Sequence, residues 1–350
     1  MKIMHMLPEL EEGGVERLMP VYANEQTRLG HTVTIVSHGG RLVSLLGPGV
    51  RHIELPVHRK NPFVGISCAR RLASLVRREE IDVVHAHSRV PAWIAYFVRK
   101  FAPRVRFVYT AHARFSSLNY GLWAIGQADG VICVSNSVRR HLRDWMPKRN
   151  PVRIIYNAPP GKVTPWRGGG DHGAERRLLF VGRVSDKKDP FTLVEALAAL
   201  ADRRWRLDVL GDGPAMPRLR ERVAALGLEG RVHLHGFSNE VADMVANCDL
   251  FLFPSLDEEG LPLALIEVMA SGAPVIASDI SATRELAALP DGETGELLPV
   301  GDVDAWRSAI AGYLDGTYKP GLKLGVELPT PPEMVGQIVT FYEEILNRAN

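Results

Sequence analysis

The segment Glu259-Gly260-Leu261-Pro262-Leu263-Ala264-Leu265-Ile266-Glu267 places a tight turn directly before an apolar helix. It lies between two apolar runs of strand length, Leu250 to Phe253 and Pro274 to Ala277. A strand, a helix and a second strand in this order form a βαβ unit, and such units build parallel sheets. The segment therefore predicts an α/β fold for the part of the chain around it.

The same alternation of apolar runs and helical spacing continues in both directions along the chain. The second half has further predicted strands at Arg177 to Val181, Arg206 to Leu210 and Arg231 to His235. The first half has its own predicted strands at Lys2 to Met6, Thr32 to Ser37, Val83 to Ala86, Arg106 to Thr110 and Gly130 to Val134. Because 350 residues are too many for one ordinary core, we predict two parallel α/β domains.

A break in this alternation between Pro159 and Arg177 marks the predicted domain boundary. The stretch combines several prolines with Gly168-Gly169-Gly170 among charged residues, which is typical of an exposed linker. The predicted organisation is an N-terminal domain over 1–160, a linker over 161–176, a C-terminal domain over 177–332 and a final helical segment over 333–350, which we expect to pack back on the N-terminal domain.

The composition is that of an ordinary globular protein, with 46% hydrophobic and 23% charged residues. The cysteines Cys68, Cys133 and Cys248 are too few for a disulfide framework and lack the paired spacing of a zinc site. No apolar run reaches the roughly 18 residues that span a bilayer, and the first residues resemble a core strand more than a signal peptide. We therefore expect a cytoplasmic protein.

The charge is unevenly distributed, although the net charge is only +2. Residues 1–165 hold 24 basic and 11 acidic residues, whereas the remainder holds 18 and 29. A basic half favours an anionic partner such as a phospholipid surface or a phosphorylated glycan, and no motif supports nucleic acid. The predicted membrane contact joins His58-Arg59-Lys60 to the stretch Cys68 to Arg78, on the inner face of the membrane. The alternative is that Leu72, Leu75 and Val76 of this stretch face the core and its arginines face water.

Three further segments of the sequence suit the binding of an anionic, phosphorylated ligand. Gly182 ends a predicted strand, and the cations Arg183 and Lys188 follow it on the emerging loop, where they can neutralise a departing phosphate. The turn Gly211-Asp212-Gly213-Pro214 also ends a strand, and Gly13-Gly14 lies between the first strand and a helix whose amides can bind an anion. The alternatives are surface cations and merely structural turns.

Two histidines, His87 and His112, end consecutive predicted strands of the first domain, in Asp82-Val83-Val84-His85-Ala86-His87 and Thr110-Ala111-His112. Open α/β sheets bind ligands at the carboxyl ends of their strands, so both are candidates for a cleft. A lone histidine at a strand end is more often structural, and this alternative stays open for each of them.

The order of these motifs resembles that in the retaining glycosyltransferases of family four. The motifs are the Gly-Gly loop, Gly-Arg with its following lysine, Gly-Asp-Gly-Pro and the spaced glutamates. The likeness covers nearly the whole chain, because Asp291-Gly292-Glu293-Thr294-Gly295 and Gly301-Asp302 also match turns of the family. It implies the GT-B fold, in which two Rossmann-like domains with parallel sheets face a central cleft.

The resemblance also implies site residues. Arg183 and Lys188 would bind the donor diphosphate, Glu267 would hold the ribose, and Glu259 and His112 would contact the donor sugar. The implied catalytic set is His112, Glu259, Arg183 and Lys188. The implied donor-binding set is Gly14, Gly182, Arg183, Lys188, Gly211, Gly213, Glu259, Gly260, Leu261, Pro262, Leu263 and Glu267. Because the run from His87 to Trp93 is similar to lipopolysaccharide-core glycosyltransferases, His87 and Arg89 are candidates on the acceptor side.

Two positions depart from the family pattern. Asp189 follows Lys188 where the family has a glycine, and Ala113 follows His112 where the family has another. Both departures put the local backbone in question, and the first leaves open whether Lys188 or Lys187 binds phosphate. Asp302-Val303-Asp304 has the spelling of a metal-binding triplet, but its position favours a helix N-terminus with Asp302 as the cap. No metal ion is expected.

The resulting hypothesis is a metal-independent, hexosyltransferase-like enzyme. It moves a sugar with retained configuration from a nucleotide diphosphate sugar to a glycan or lipid-linked acceptor, in the synthesis of lipopolysaccharide or another cell-envelope glycan. No cofactor is expected beside the donor. Two alternatives stay open: a nucleotide-sugar epimerase that uses His112 or a carboxylate as base, and a non-catalytic nucleotide-sugar-binding protein. The donor base, the sugar and the acceptor are not specified by the sequence.

Overall fold

The chain divides into two compact units in a computed structural model. The structure describes residues 1–11, 13–114, 120–143, 150–161, 163–168, 175–238, 240–256, 259–288 and 297–348. Unit 1 consists of Met1–Pro160 together with Leu328–Asn350, and unit 2 consists of Gly161–Glu327. The chain thus leaves unit 1 once, builds the whole of unit 2, and returns to unit 1 with its last residues.

Unit 1 is built on a parallel sheet of seven strands. The strands are β1 (Lys2–Met6), β2 (Thr32–Ser37), β3 (Val50–Glu54), β4 (Val83–Ala86), β5 (Arg106–Ala111), β6 (Gly130–Cys133) and β7 (Val152–Ile154), and their spatial order is β3-β2-β1-β4-β5-β6-β7. The connecting helices are α1 (Gly14–Arg28), α2 (Pro62–Glu79), α3 (Arg89–Phe101), α4 (Tyr120–Ile125) and α5 (Asn136–Leu142), with a short 3-10 helix at Arg41–Leu45. Every residue of β4 and β6 is buried, as expected for strands covered on both faces.

Unit 2 is built on a second parallel sheet, of six strands. Its strands are β8 (Arg176–Val181), β9 (Trp205–Leu210), β10 (Val232–Gly236), β11 (Leu250–Phe253), β12 (Val275–Ser278) and β14 (Leu297–Leu298), in the order β10-β9-β8-β11-β12-β14, while β13 (Ala287–Ala288) and β15 (Lys323–Leu324) form a small antiparallel pair. Its helices are α6 (Pro190–Ala198), α7 (Met216–Ala225), α8 (Val241–Asn247), α9 (Leu263–Ser271), α10 (Ser281–Leu286) and α11 (Val303–Leu314). Trp205 and Trp306 are fully buried in its core.

The last helix, α12 (Pro331–Asn347), belongs to unit 1. Thr330 and Glu333 form a capping box at its start, which explains why the helix begins two residues before the predicted Glu333. Arg153 of β7 forms an ion pair with Glu344 at 2.8 Å, and Tyr342 is fully buried beside β4. The helix is therefore attached to the sheet of unit 1 by both apolar and charged contacts.

Both sheets change the direction of strand order at one place. In unit 1 this switch point lies between β1 and β4, and in unit 2 it lies between β8 and β11. At a switch point the two loops that follow the strands run to opposite sides, which opens a crevice at the carboxyl ends. The loop with Gly182 and Arg183 follows β8, and the glutamate segment follows β11, so the strongest sequence motifs meet at the crevice of unit 2.

Candidate active site

Lys188 and Glu259 form an ion pair at the switch point of unit 2. Lys188 Nζ lies 2.5 Å from Glu259 Oε1, and both side chains are about four-fifths buried, with 22% and 19% of their surface exposed. Lys188 Nζ also lies 5.5 Å from the centre of the Phe253 ring, which can hold the cation by its π face. The cation and the carboxylate that the sequence assigned to one ligand thus come together from two separate βα loops.

Asp189, which replaces a glycine of the family pattern, has a left-handed backbone with φ 44°. Aspartate is one of the few residues with a side chain that adopt this conformation at small cost. Its carboxylate accepts hydrogen bonds from Thr192 N at 3.3 Å and Thr192 Oγ1 at 2.6 Å, so it caps α6. Burial raises the pKa of Asp189, and these hydrogen bonds oppose the rise. The position thus requires the conformation that glycine provides, and Asp189 adopts it while capping the helix.

Gly211 and Gly213 hold the turn after β9 against the loop after β8. A Cβ atom on Gly211 would lie 2.0 Å from the carbonyl oxygen of Gly182, and one on Gly213 would lie 2.3 Å from that of Val184. The backbone hydrogen bond from Val184 N to Asp212 O, 2.9 Å long, joins the same two loops. These glycines are therefore required for loop packing, and their contact with a nucleotide base stays a prediction.

The glutamate segment forms a buried turn and then a helix. Gly260, Leu261, Pro262 and Leu263 are all buried, and α9 begins at Leu263 with no side-chain cap. The first amides of an uncapped helix are available to an anion. Glu267 lies in the second turn of α9 and is half-buried. Arg183, in contrast, is exposed on the loop after Gly182.

In unit 1, Gly14 is the first residue of α1, and Gly13 before it has an extended backbone with no side-chain cap. This loop follows β1 and precedes α1, as predicted from the sequence, and the structure places β1 at the switch point. Arg89 begins α3 directly after the strand end of β4, and it is half-buried. Ala113, the second departure from the family pattern, is not among the described residues with a positive φ, so its Cβ introduces no backbone strain.

His87 and His112 are hydrogen-bonded to each other, with 3.1 Å between His87 Nδ1 and His112 Nε2. The contact extends inward, because His87 Nε2 lies 2.9 Å from His5 Nδ1, and His5 Nε2 lies 2.7 Å from Gln26 Oε1. Beside this row, His85 contacts the hydroxyls of Tyr342 at 2.5 Å and Thr110 at 2.7 Å. We call His5, His85, His87 and His112 the histidine layer.

Burial keeps the histidine layer uncharged. It lowers the pKa of His5 to about 4, against a weaker opposing effect of the Gln26 hydrogen bond, and it lowers the pKa of His112 to about 3. Burial and the neighbouring histidines lower the pKa values of His85 and His87 well below the ordinary value. All four rings are neutral near neutral pH, so they act as hydrogen-bonding groups and not as charges.

The ring nitrogens of His5, His85 and His87 lie within 4.8 Å of one another, which is close enough to consider a metal ion. Each of their six nitrogens already has a hydrogen-bond partner, namely His87, Gln26, Tyr342, Thr110, His5 or His112. An ion would have to replace several of these bonds inside a layer that contains no carboxylate. The cluster fits a hydrogen-bonded network better than a metal site.

Sequence reasoning placed His87 and His112 at one edge but missed His5, Gln26 and Phe253. His5 is a polar residue inside the apolar strand Lys2 to Met6, and this was the available signal.

Asp302 caps α11 as predicted, since its Oδ1 accepts a hydrogen bond from Ala305 N at 3.0 Å. The family-like turn Asp291 to Gly295 lies outside the described residues.

Two family models match the chain. The model described as "Glycosyl transferases group 1" matches residues 175–315, and the one described as "Glycosyltransferase Family 4" matches residues 12–158. Among curated proteins, the lipopolysaccharide core biosynthesis mannosyltransferase LpsB of Rhizobium meliloti is 28% identical over 291 residues, which are 79% of this chain and 79% of LpsB. An Escherichia coli UDP-Gal:alpha-D-GlcNAc-diphosphoundecaprenol alpha-1,3-galactosyltransferase is 25% identical over 90% of this chain and 88% of its own length.

Solved structures show the same fold. The crystal structure of a glycosyltransferase from Rickettsia africae superposes with a TM-score of 0.77 at 24% identity, and the match covers 99% of this chain and 98% of that one. One family model matches most of unit 1 and the other most of unit 2, which agrees with the resemblance of the motifs. The chain therefore belongs to the glycosyltransferases of group 1 and family 4, and it has their GT-B fold.

Proposed function

We propose that this glycosyltransferase moves a sugar, with retained configuration, from a nucleotide diphosphate sugar to a glycan or lipid-linked acceptor of the cell envelope. The observation that carries the proposal is the Lys188–Glu259 pair at the switch point of unit 2. The names of two relatives support the substrate classes, since one is a lipopolysaccharide-core mannosyltransferase and the other uses UDP-Gal and a lipid-linked acceptor.

The chemistry follows from the groups at this crevice. When the bond between the sugar carbon and the diphosphate oxygen breaks, the electron pair leaves with the diphosphate, whose new charge Lys188, Arg183 and the first amides of α9 stabilise. The acceptor hydroxyl attacks the same face of the sugar, and its proton passes to the leaving phosphate oxygen. Glu259 forms an ion pair with Lys188, so it holds the cation in position at this crevice.

Of the bases considered for epimerisation, His112 does not suit the role. Because its pKa lies near 3, its neutral ring is a weak base and does not suit the removal of a carbon-bound proton. The ring is suited instead to hydrogen-bonding a hydroxyl of the donor sugar.

The decisive experiment is product analysis with UDP-, GDP- and ADP-sugars, with and without a lipopolysaccharide-core or lipid-linked acceptor. We expect acceptor-dependent transfer and, by NMR of the product, the anomeric configuration of the donor. A donor epimer formed without acceptor, or a product of inverted configuration, would contradict the proposal. Lys188→Ala should abolish most of the transfer, and Lys187→Ala is the matched control on the neighbouring position.

Docking of unit 1 on an anionic membrane surface is part of the proposal. Within the described residues, no helix combines the length and the apolarity that crossing a bilayer requires. The apolar part of the contact predicted from the sequence is wrong, because Leu72 and Val76 are buried, with 1% and 4% exposed, and cannot enter a headgroup layer. Exposed Phe63, at 87%, lies on the same helix as the predicted arginines Arg70 and Arg71, which are exposed, and these three residues form the proposed contact.

This surface has the mixed character of a headgroup-binding site. Arg70 lies 6.0 Å from the ring of partly exposed Phe101, so aromatic and basic groups occur side by side on α2 and α3. Aromatic rings enter the interfacial layer, and each basic residue near an anionic surface contributes roughly 1 kcal/mol. Such docking would hold the enzyme at the cytoplasmic face, where lipid-linked acceptors are within reach.

Sedimentation with phosphatidylglycerol vesicles tests the docking. Binding should fall with added salt and with Arg70→Glu combined with Arg71→Glu, and Phe63→Ser should weaken it further. Arg204→Glu combined with Arg220→Glu, both exposed in unit 2, is the control with the same change of charge. No sedimentation at low salt, or equal losses for both double variants, would refute the docking surface.

A further inference from the structure

The row of hydrogen bonds from Gln26 through His5 and His87 to His112 has one direction. Gln26 Oε1 can only accept, so His5 Nε2 must carry the proton that it donates. A neutral imidazole has one N–H, so His5 Nδ1 accepts and His87 Nε2 donates to it. By the same rule His87 Nδ1 accepts, and His112 Nε2 donates. His112 Nδ1 is then left with a lone pair.

The orientation of the Gln26 amide determines this direction, because an amide turned by half a rotation would reverse every bond. The Gln26 side chain also lies beside Tyr342. Burial raises the pKa of Tyr342, and the side chain of Gln26 opposes this rise. The structure places Oε1 of this amide 2.7 Å from His5 Nε2, and Nε2 at the other end of the amide is buried.

The far end of the row is unsatisfied. His112 Nδ1 is buried and has no hydrogen-bond partner among the residues that the structure describes. A buried acceptor without a partner is unfavourable, and a ligand hydroxyl that donates to it removes this cost. The row thus ends on an acceptor at the carboxyl edge of β5, where sheets of this kind bind ligands.

We propose that Gln26, His5 and His87 are positioning residues that fix His112 in its Nε2–H tautomer, so that Nδ1 accepts a hydrogen bond from a hydroxyl of the donor sugar. The proposal rests on the proposed function, in that the hydroxyl belongs to the donor of the transfer. His5 of β1, Gln26 of α1 and His87 are all buried. The proposal gives them a role in donor binding that acts through the His112 side chain.

The test begins with nitrogen NMR of the free protein, labelled with 15N-histidine, because the two tautomers give distinct shifts for protonated and unprotonated ring nitrogens. We expect His5, His87 and His112 each to carry the proton on Nε2 alone. Gln26→Met, which removes the acceptor at similar volume, should give His112 a mixture of tautomers. Thr110→Val is the matched control, because it removes a buried hydrogen bond of His85 in the same layer but none of the row.

Kinetics gives the second readout. With the donor for which transfer is measured, Gln26→Met should raise the donor KM about two- to tenfold, the range for one neutral hydrogen bond, and leave kcat unchanged. If Gln26 had only a structural role, Thr110→Val would lower kcat or the protein yield as much as Gln26→Met does. A proton on Nδ1 of His112 in the wild type, or an unaltered His112 tautomer in Gln26→Met, would overturn the proposal. The NMR result stands even if no transfer is found, so failure of the row and failure of the proposed function are distinguishable.

Discussion

Acidification should destabilise unit 1 through the buried side chain of His5. Burial lowers the pKa of His5 from 6.5 to about 4, and no charged group contributes to the shift. As the pH falls below about 6.5, the unfolded chain therefore takes up a proton that the folded chain does not. The contribution of neutral His5 to the free energy of unfolding is fully present above pH 6.5, the pKa of His5 in the unfolded chain. It is lost as the pH falls towards about 4, the pKa of His5 in the folded chain.

The magnitude follows from the two pKa values. Between about pH 7.5 and pH 5, His5 alone should remove about 2 kcal/mol from the free energy of unfolding. His85, His87 and His112 shift in the same direction, so the total loss should be larger. His5→Gln, which cannot take up a proton, should reduce the loss over this range by about 2 kcal/mol.

The assay must follow unit 1 by itself, because two units need not unfold together. Samples equilibrated in urea at each pH receive a brief hydrogen-exchange pulse at one fixed labelling pH, and mass spectrometry of peptides from β1 and β4 gives the unfolded fraction. His233→Gln, on an exposed position of β10 in unit 2, is the matched control. An unfolding free energy that is equal at both pH values, or a His5→Gln variant with the full wild-type dependence, would refute the reasoning.

Four further predictions concern the site and the fold. Glu267→Ala and Arg183→Ala should each lower turnover about a hundredfold with an unchanged circular dichroism spectrum, and wild-type turnover at saturating donor would remove either residue from the site. Lys188→Ala should lower turnover far more than Lys187→Ala, and the opposite order would assign the phosphate contact to Lys187. Activity should survive excess chelator, because Arg183 and Lys188 are predicted to neutralise the diphosphate in place of a metal ion, whereas a loss restored by Mg²⁺ or Mn²⁺ would contradict the diphosphate assignment. Thr330→Ala should lower the stability of unit 1 by about 1 kcal/mol in the same pulse assay, since it removes the cap of α12, and no change would show that the capping box is dispensable.

Much of the fold was predictable because its signals are local. Apolar runs bounded by glycine and proline identified the central strands of both sheets, and β1, β2, β4 and β8 lie within one residue of the predicted positions. Of the missed strands, β3, β7 and β14 lie at the edges of the two parallel sheets, and β13 and β15 form the separate antiparallel pair; all but β3 have only two or three residues. Such short strands receive their hydrogen bonds from a neighbour that the local sequence does not specify.

The sequence by itself determined the α/β class, the family, and the residue types at the ends of β4, β5, β8 and β11, because each of these depends on a motif of a few consecutive residues. Only the tertiary structure decided which of two adjacent lysines meets Glu259, since the two groups lie on separate loops joined by the order of β8 and β11. It also decided that Asp189 adopts a left-handed backbone, and that His5 and Gln26 line up behind His87 and His112. Those contacts join β1, α1, β4 and β5. A row of side chains across neighbouring strands depends on strand order and register. Both arise from packing of the whole sheet and not from the spacing of residues along the chain.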